Sequence, residues 1–169
     1  MVRRRVTVLL AALLLGAGLV GAAPEAVAGS GFGTGVVTGG TARSHAQIVS
    51  VRMARHLRFD RFVIEFNGRR VPTFRVEPRS SSVFRLDPSD KRVDLLGTAG
   101  VRIVLHGATG QGTYRGSTDF RPRFPQLREA RLIGDFEAVT TWGLGLRHSG
   151  TQRVLVLTAP PRLVVDVHH

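Results

Sequence analysis

Asp135 and Glu137 are the pair of carboxylates best spaced for acid–base work. Glycoside hydrolysis needs two carboxyl groups roughly 5 to 9 Å apart across a scissile bond. At i and i+2 of an extended segment both side chains point the same way, so this pair does not face itself across a substrate. The six histidines (His45, His56, His106, His148, His168 and His169) show no HxH or HExxH spacing, so no metal-ligand set is readable. No serine occupies a G-x-S-x-G elbow. The run Gly107-Ala108-Thr109-Gly110-Gln111-Gly112 lacks the Lys and Ser/Thr of a phosphate loop and reads as a flexible hairpin loop. With zero cysteines there is no thiolate nucleophile, thiolate metal site or disulfide. The expectation is no catalytic residue, no metal and no cofactor.

Binding chemistry is better represented. Lys+Arg number 24 against 12 Asp+Glu, a formal charge of +12, and every cation except Lys91 is arginine. A guanidinium forks onto carboxylate or phosphate with two parallel hydrogen bonds. No run of five or more cations occurs, so no concentrated patch can be read from the sequence. Trp142 and Tyr114 are the only residues of their types. Trp142 lies within a strand-like run and is expected in the core. Tyr114, beside Arg115 among glycines, is the candidate exposed ring, and the two together are the candidate ligand contact.

A template recurs: Arg61-Phe62-Val63-Ile64-Glu65-Phe66 and Arg162-Leu163-Val164-Val165-Asp166-Val167 both read Arg, apolar, Val, β-branched, acid, apolar. Alternation places Phe62, Ile64 and Phe66 on one face, with Arg61 and Glu65 on the other. Arg and acid four residues apart in a strand are about 13 Å apart and cannot pair within it. Were the two copies antiparallel neighbours, Arg61 would meet Asp166 and Arg162 would meet Glu65 as structural salt bridges.

The elements that must position these residues follow from the patterning. Arg3, Arg4 and Arg5 precede the apolar run Val6 to Val20, and Ala26-Val27-Ala28 supplies a small-residue site. Residues 1–28 therefore read as a secretory signal peptide cleaved after Ala28, with an uncleaved membrane anchor as the alternative. Its removal leaves about +10. In an exported protein such charge points away from nucleic acid and towards envelope polyanions. Residues 29–45 open with six glycines in twelve residues and read as a flexible linker. From 46 onward, short apolar runs predict strands at 47–55, 61–67, 73–77, 92–95, 101–106, 127–133, 137–146, 153–158 and 162–167, with helical phase as an alternative at 127–133. Seven prolines fall between or at the edges of these runs. This density of short strands predicts an all-β fold, a β-sandwich or open barrel of mostly antiparallel strands.

The run Arg55 to Phe66 (RHLRFDRFVIEF) resembles the opening signature of the AMIN-like domains of actinobacterial secreted proteins. Phe74-Arg75-Val76-Glu77, Gly134-Asp135-Phe136-Glu137, Trp142 to Leu146 and Pro160 to Val167 follow in that family's order, so the resemblance covers residues 46–169. It departs at Ala54 and Arg58, where glycines are expected, and at Pro78. The resemblance implies a β-sandwich and a non-catalytic, extracytoplasmic cell-envelope module, whose related AMIN domains bind peptidoglycan. The expected partner is peptidoglycan or an anionic wall glycan. The alternative is another envelope protein recruited through an exposed strand edge or the 107–112 loop.

Overall fold

The computed structural model describes residues 31–169. The signal peptide expected over residues 1–28, with its cleavage site, lies outside the described residues. All regular structure among these residues is strand, and it forms two packed sheets with a small hairpin on one outer face.

Thirteen strands follow in chain order: β1 (Val37–Gly39), β2 (Ala46–Arg55), β3 (Phe59–Phe66), β4 (Thr73–Arg79), β5 (Val83–Arg85), β6 (Arg92–Asp94), β7 (Ala99–His106), β8 (Ala108–Thr109), β9 (Asp119–Phe120), β10 (Leu127–Phe136), β11 (Val139–Leu146), β12 (Gln152–Thr158) and β13 (Pro161–His168). One sheet runs β1-β4-β7-β11-β10-β9 and the other β12-β13-β3-β2-β8. All pairings are antiparallel except β2 with β8. The segment at 127–133 is extended throughout, as part of β10.

Alternation builds the core. Phe62, Ile64 and Phe66 of β3 and Leu163, Val165 and Val167 of β13 face inward, towards Phe74, Val76, Ile103, Leu105, Trp142 and Leu144 of the other sheet. Each such side chain contributes about 1.5–3 kcal/mol when fully buried. The β5–β6 hairpin adds a second, smaller core on the outer face of the six-stranded sheet, where Phe84 and Leu95 pack on Ile133. The sequence Trp142-Gly143-Leu144-Gly145-Leu146 serves both cores. Its large residues point inward, while a Cβ at outward-facing Gly143 would press on Ile133 and Leu95 at 3.1 Å.

The segment expected as a flexible linker is paired within its described part. Gly33 and Gln152 exchange two backbone hydrogen bonds of 2.8 Å, and Val37–Gly39 pairs with β4 as β1. The glycines there answer to space rather than to flexibility. A Cβ at Gly39 would lie 2.8 Å from the Phe74 ring, and one at Gly40 (φ +87°) would overlap the Pro72 carbonyl. The 107–112 run is likewise no free loop. At Gly107 the chain leaves β7 and crosses to the other sheet, where Ala108 and Thr109 pair with Ala46 and Gln47. Glu137 does not begin a strand. With Ala138 it forms a two-residue turn, both at positive φ (48° and 58°), linking β10 to β11. Pro78 lies inside β4 rather than beside it, where β1 has already ended, so no strand on that side asks for its missing amide hydrogen.

Candidate functional site

The two template strands are antiparallel neighbours, with Arg61 opposite Asp166 and Arg162 opposite Glu65. Arg61 donates from Nε to Asp166 Oδ1 at 2.7 Å and from Nη2 to Oδ2 at 3.0 Å. Arg153 of β12 donates to Oδ2 from the other side, at 2.6 and 3.1 Å. Asp166 is fully buried beneath the two guanidiniums. The hydrogen bond to Asp166 holds the Arg61 guanidinium above its ordinary pKa, against the opposing effect of burial. Phe32, in the N-terminal segment, lies 4.8 Å beneath the Arg153 guanidinium carbon, and Phe59 lies 5.3 Å from those of both Arg61 and Arg153. Arg162 and Glu65 face each other in register without bonding. Glu65 accepts from Arg52 at 2.6 Å, and Arg162 folds back onto the turn it follows, donating to the Pro160 carbonyl at 3.2 Å.

Tyr114 is half-buried rather than exposed. Its ring stands edge-on to Trp142 with centroids 6.5 Å apart, and its hydroxyl donates to the Ser117 carbonyl at 2.7 Å. Burial pushes the phenol pKa up. Gly116 makes this fold possible, since any Cβ there would overlap the tyrosine hydroxyl. Arg115 is exposed and reaches the Gly112 carbonyl at 3.3 Å. Trp142 is in the core, at 1% exposure. Asp135 accepts from the Gly110 amide at 2.8 Å and the Thr140 hydroxyl at 3.1 Å, fastening the 110–117 segment to β10. It does not form a pair with Glu137, which sits in the turn.

Asp60 is a buried carboxylate that the sequence reading passed over. It lies on the inward phase of β3, where its Oδ2 accepts the amides of Gln126 and Leu127 at 2.7 and 2.9 Å. Its Oδ1 lies 3.0 Å from Nε2 of His169. It ties the start of β10, in one sheet, to β3 in the other. The signal was present: Asp60 shares the period-two phase of Phe62, Ile64 and Phe66, where a polar residue stands out.

Two of the arginines left for a partner lie together on the outer face of the six-stranded sheet. The β4–β7 register sets Glu77 opposite Arg102 and Arg79 opposite Gly100, so Arg79 and Arg102 are diagonal neighbours. They line a cavity of about 320 Å³ with Arg85, Ser81, Val83 and Phe84. The Arg79 guanidinium carbon lies 5.4 Å from the Phe84 ring centroid, and its buried Nε has no protein partner. Arg85 is neutralised by Asp90 at 3.0 Å, and Glu77 is engaged by Arg75 at 3.5 Å. Among the described residues no carboxylate lies within salt-bridge distance of Arg79 or Arg102. Two guanidiniums beside an apolar wall suit an oxyanion. Sequence alone could not join them, because the diagonal depends on a register between strands 21 residues or more apart. Among the described residues, no group of three His, Asp or Glu converges as a metal site.

Compared with known proteins, the chain matches the family model of the AMIN-like domain over residues 46–169. No curated protein and no solved structure matches it.

Proposed function

The chain belongs to the AMIN-like domain family, and from that premise we propose that it is an exported, non-catalytic module that binds peptidoglycan or an anionic wall polymer. The family is one of envelope-targeting and binding modules, which supports a function in the envelope in general terms. The finer reading is carried by one observation: Arg79 and Arg102 share a concave surface with no carboxylate to neutralise them. Three arginines of the other sheet are consumed internally. Arg61 and Arg153 serve Asp166, and Arg52 serves Glu65. Retention of the protein on purified cell walls is the test. Binding is expected to weaken as salt rises through the range that screens exposed charge, and retention that is absent or indifferent to salt contradicts the reading.

A second reading, recruitment of another envelope protein, draws support from β12. After bonding Gly33 at Gln152, the N-terminal segment leaves for β4, and the remaining outer edge of β12 has no neighbouring strand. Crosslinking in native cells separates the two: a dominant protein partner supports this reading, and wall material alone supports the first.

A further inference from the structure

The geometry points to a more specific ligand for the arginine-lined face: a linear polymer whose anionic phosphodiester links alternate with uncharged, hydroxyl-bearing units. This rests on the wall-polymer reading above and adds the shape and charge spacing of what is bound.

Three concavities follow one another, each sharing lining residues with the next. The central one, about 320 Å³, holds Arg79 and Arg102. At Arg79 it meets a second, of about 340 Å³, whose polar lining includes Thr34, Ser80, Ser149 and Thr151. At Arg85 and Arg102 it meets a third, of about 400 Å³, that contains Asp87, Asp90, His106 and Thr141. Together they follow β7 from Gly100 to His106, six residue steps or about 20 Å of strand. A single small ion needs only the middle of such a groove.

The chemistry changes along its length. Unpaired positive charge sits at Arg79 and Arg102, where the central concavity meets its two neighbours. One flank offers hydroxyls, and the other offers the carboxylate of Asp87, which repels a second anion and accepts hydrogen bonds from hydroxyl groups, Asp90 being taken up by Arg85. A ligand charged at every position would be opposed at the Asp87 end. A charged link between two hydroxylated units matches all three segments, and Phe84 and Val83 give its carbon skeleton an apolar wall. Glu77 stands opposite Arg102 in register, and its engagement with Arg75 leaves Arg102 open.

The test measures binding of the purified protein to poly(glycerol phosphate), to inorganic phosphate, and to peptidoglycan stripped of attached polymers. The expected result is that poly(glycerol phosphate) binds and that the R79Q/R102Q double variant lowers its affinity at least about tenfold, the loss of roughly one charge-assisted contact. R58Q, at an exposed arginine outside the groove, should leave it unchanged and E77Q should strengthen it. Thermal melting of each variant confirms folding, and the single variants R79Q and R102Q stand in if the double variant does not fold. Equal binding by R79Q/R102Q, or inorganic phosphate competing as well as the polymer, overturns the groove. If whole walls retain the protein but the stripped peptidoglycan accounts for all of it, this inference falls and the wall-binding function stands. If whole walls do not retain it, both fall.

Discussion

Asp166 and Arg61 stand opposite each other on adjacent strands drawn from the two ends of the domain, and they meet through two parallel hydrogen bonds of 2.7 and 3.0 Å. Arg153 completes the set, so one wholly buried carboxylate holds three strands of one sheet in register. Taking away one member of a buried ion pair strands the remaining charge, at a typical cost of 3–5 kcal/mol. Asp166→Ala should fall near 3 kcal/mol, because both arginines keep partial contact with water. Arg162→Gln, which breaks no ion pair, should stay within about 0.5 kcal/mol. Urea denaturation of the two variants checks the contrast, and equal losses would contradict it.

Asp60 is the corresponding tie between sheets. Asp60→Ala leaves the Gln126 and Leu127 amides without their acceptor inside the protein, where each orphaned donor costs about 1–3 kcal/mol. Hydrogen exchange should report the loss locally, with the Gln126 and Leu127 amides deprotected well before those of β7. Uniform deprotection of both regions would argue against a local tie.

Tyr114, the only tyrosine, can be titrated without ambiguity by its ultraviolet absorbance. Burial raises its pKa above the ordinary 10.0. The folded state thus binds this proton more tightly than the unfolded chain, so the associated stability is complete below pH 10 and is lost as pH climbs through the raised value. A midpoint at or below 10 would mean that the ring is freely solvated.

Gly40→Ala tests whether the N-terminal segment is part of the fold. An added Cβ at φ +87° meets the Pro72 carbonyl, and the backbone must shift. A loss on the order of 2 kcal/mol is expected in thermal denaturation. Gly68→Ala provides the control for positive φ alone, since no atom lies within 4 Å of a Cβ there. Should Gly40→Ala cost no more than this control, β1 contributes little.

The parts of this fold that could be read in advance were those governed by alternation. Phe62, Ile64 and Phe66 repeat at period two because a sheet has one inward face, and that phase locates β3 to within two residues. The same rule marks β13 through Leu163, Val165 and Val167. What escaped depends on neighbours distant in sequence. β1 looked like a tether because its glycines resemble those of a linker, while their cause is the Phe74 ring and the Pro72 carbonyl. The Glu137–Ala138 turn carries no Asn or Gly to announce it. The Arg162 and Glu65 positions were legible, but their bonds were not: register fixes Cα atoms, and long side chains choose among several partners within reach. The Arg79–Arg102 diagonal needed the β4–β7 register, which no local pattern supplies.

Trp142 is the chain's single indole, sealed in the interior at the edge of Tyr114 and close to the 110–117 segment. The molecule therefore contains its own optical gauge. Its emission should be that of a ring shielded from water, and any event that lifts Tyr114 away should redden or dim the signal while the backbone spectrum stays constant. Local breathing of that corner can be timed in the unlabelled protein and told apart from loss of the whole sandwich.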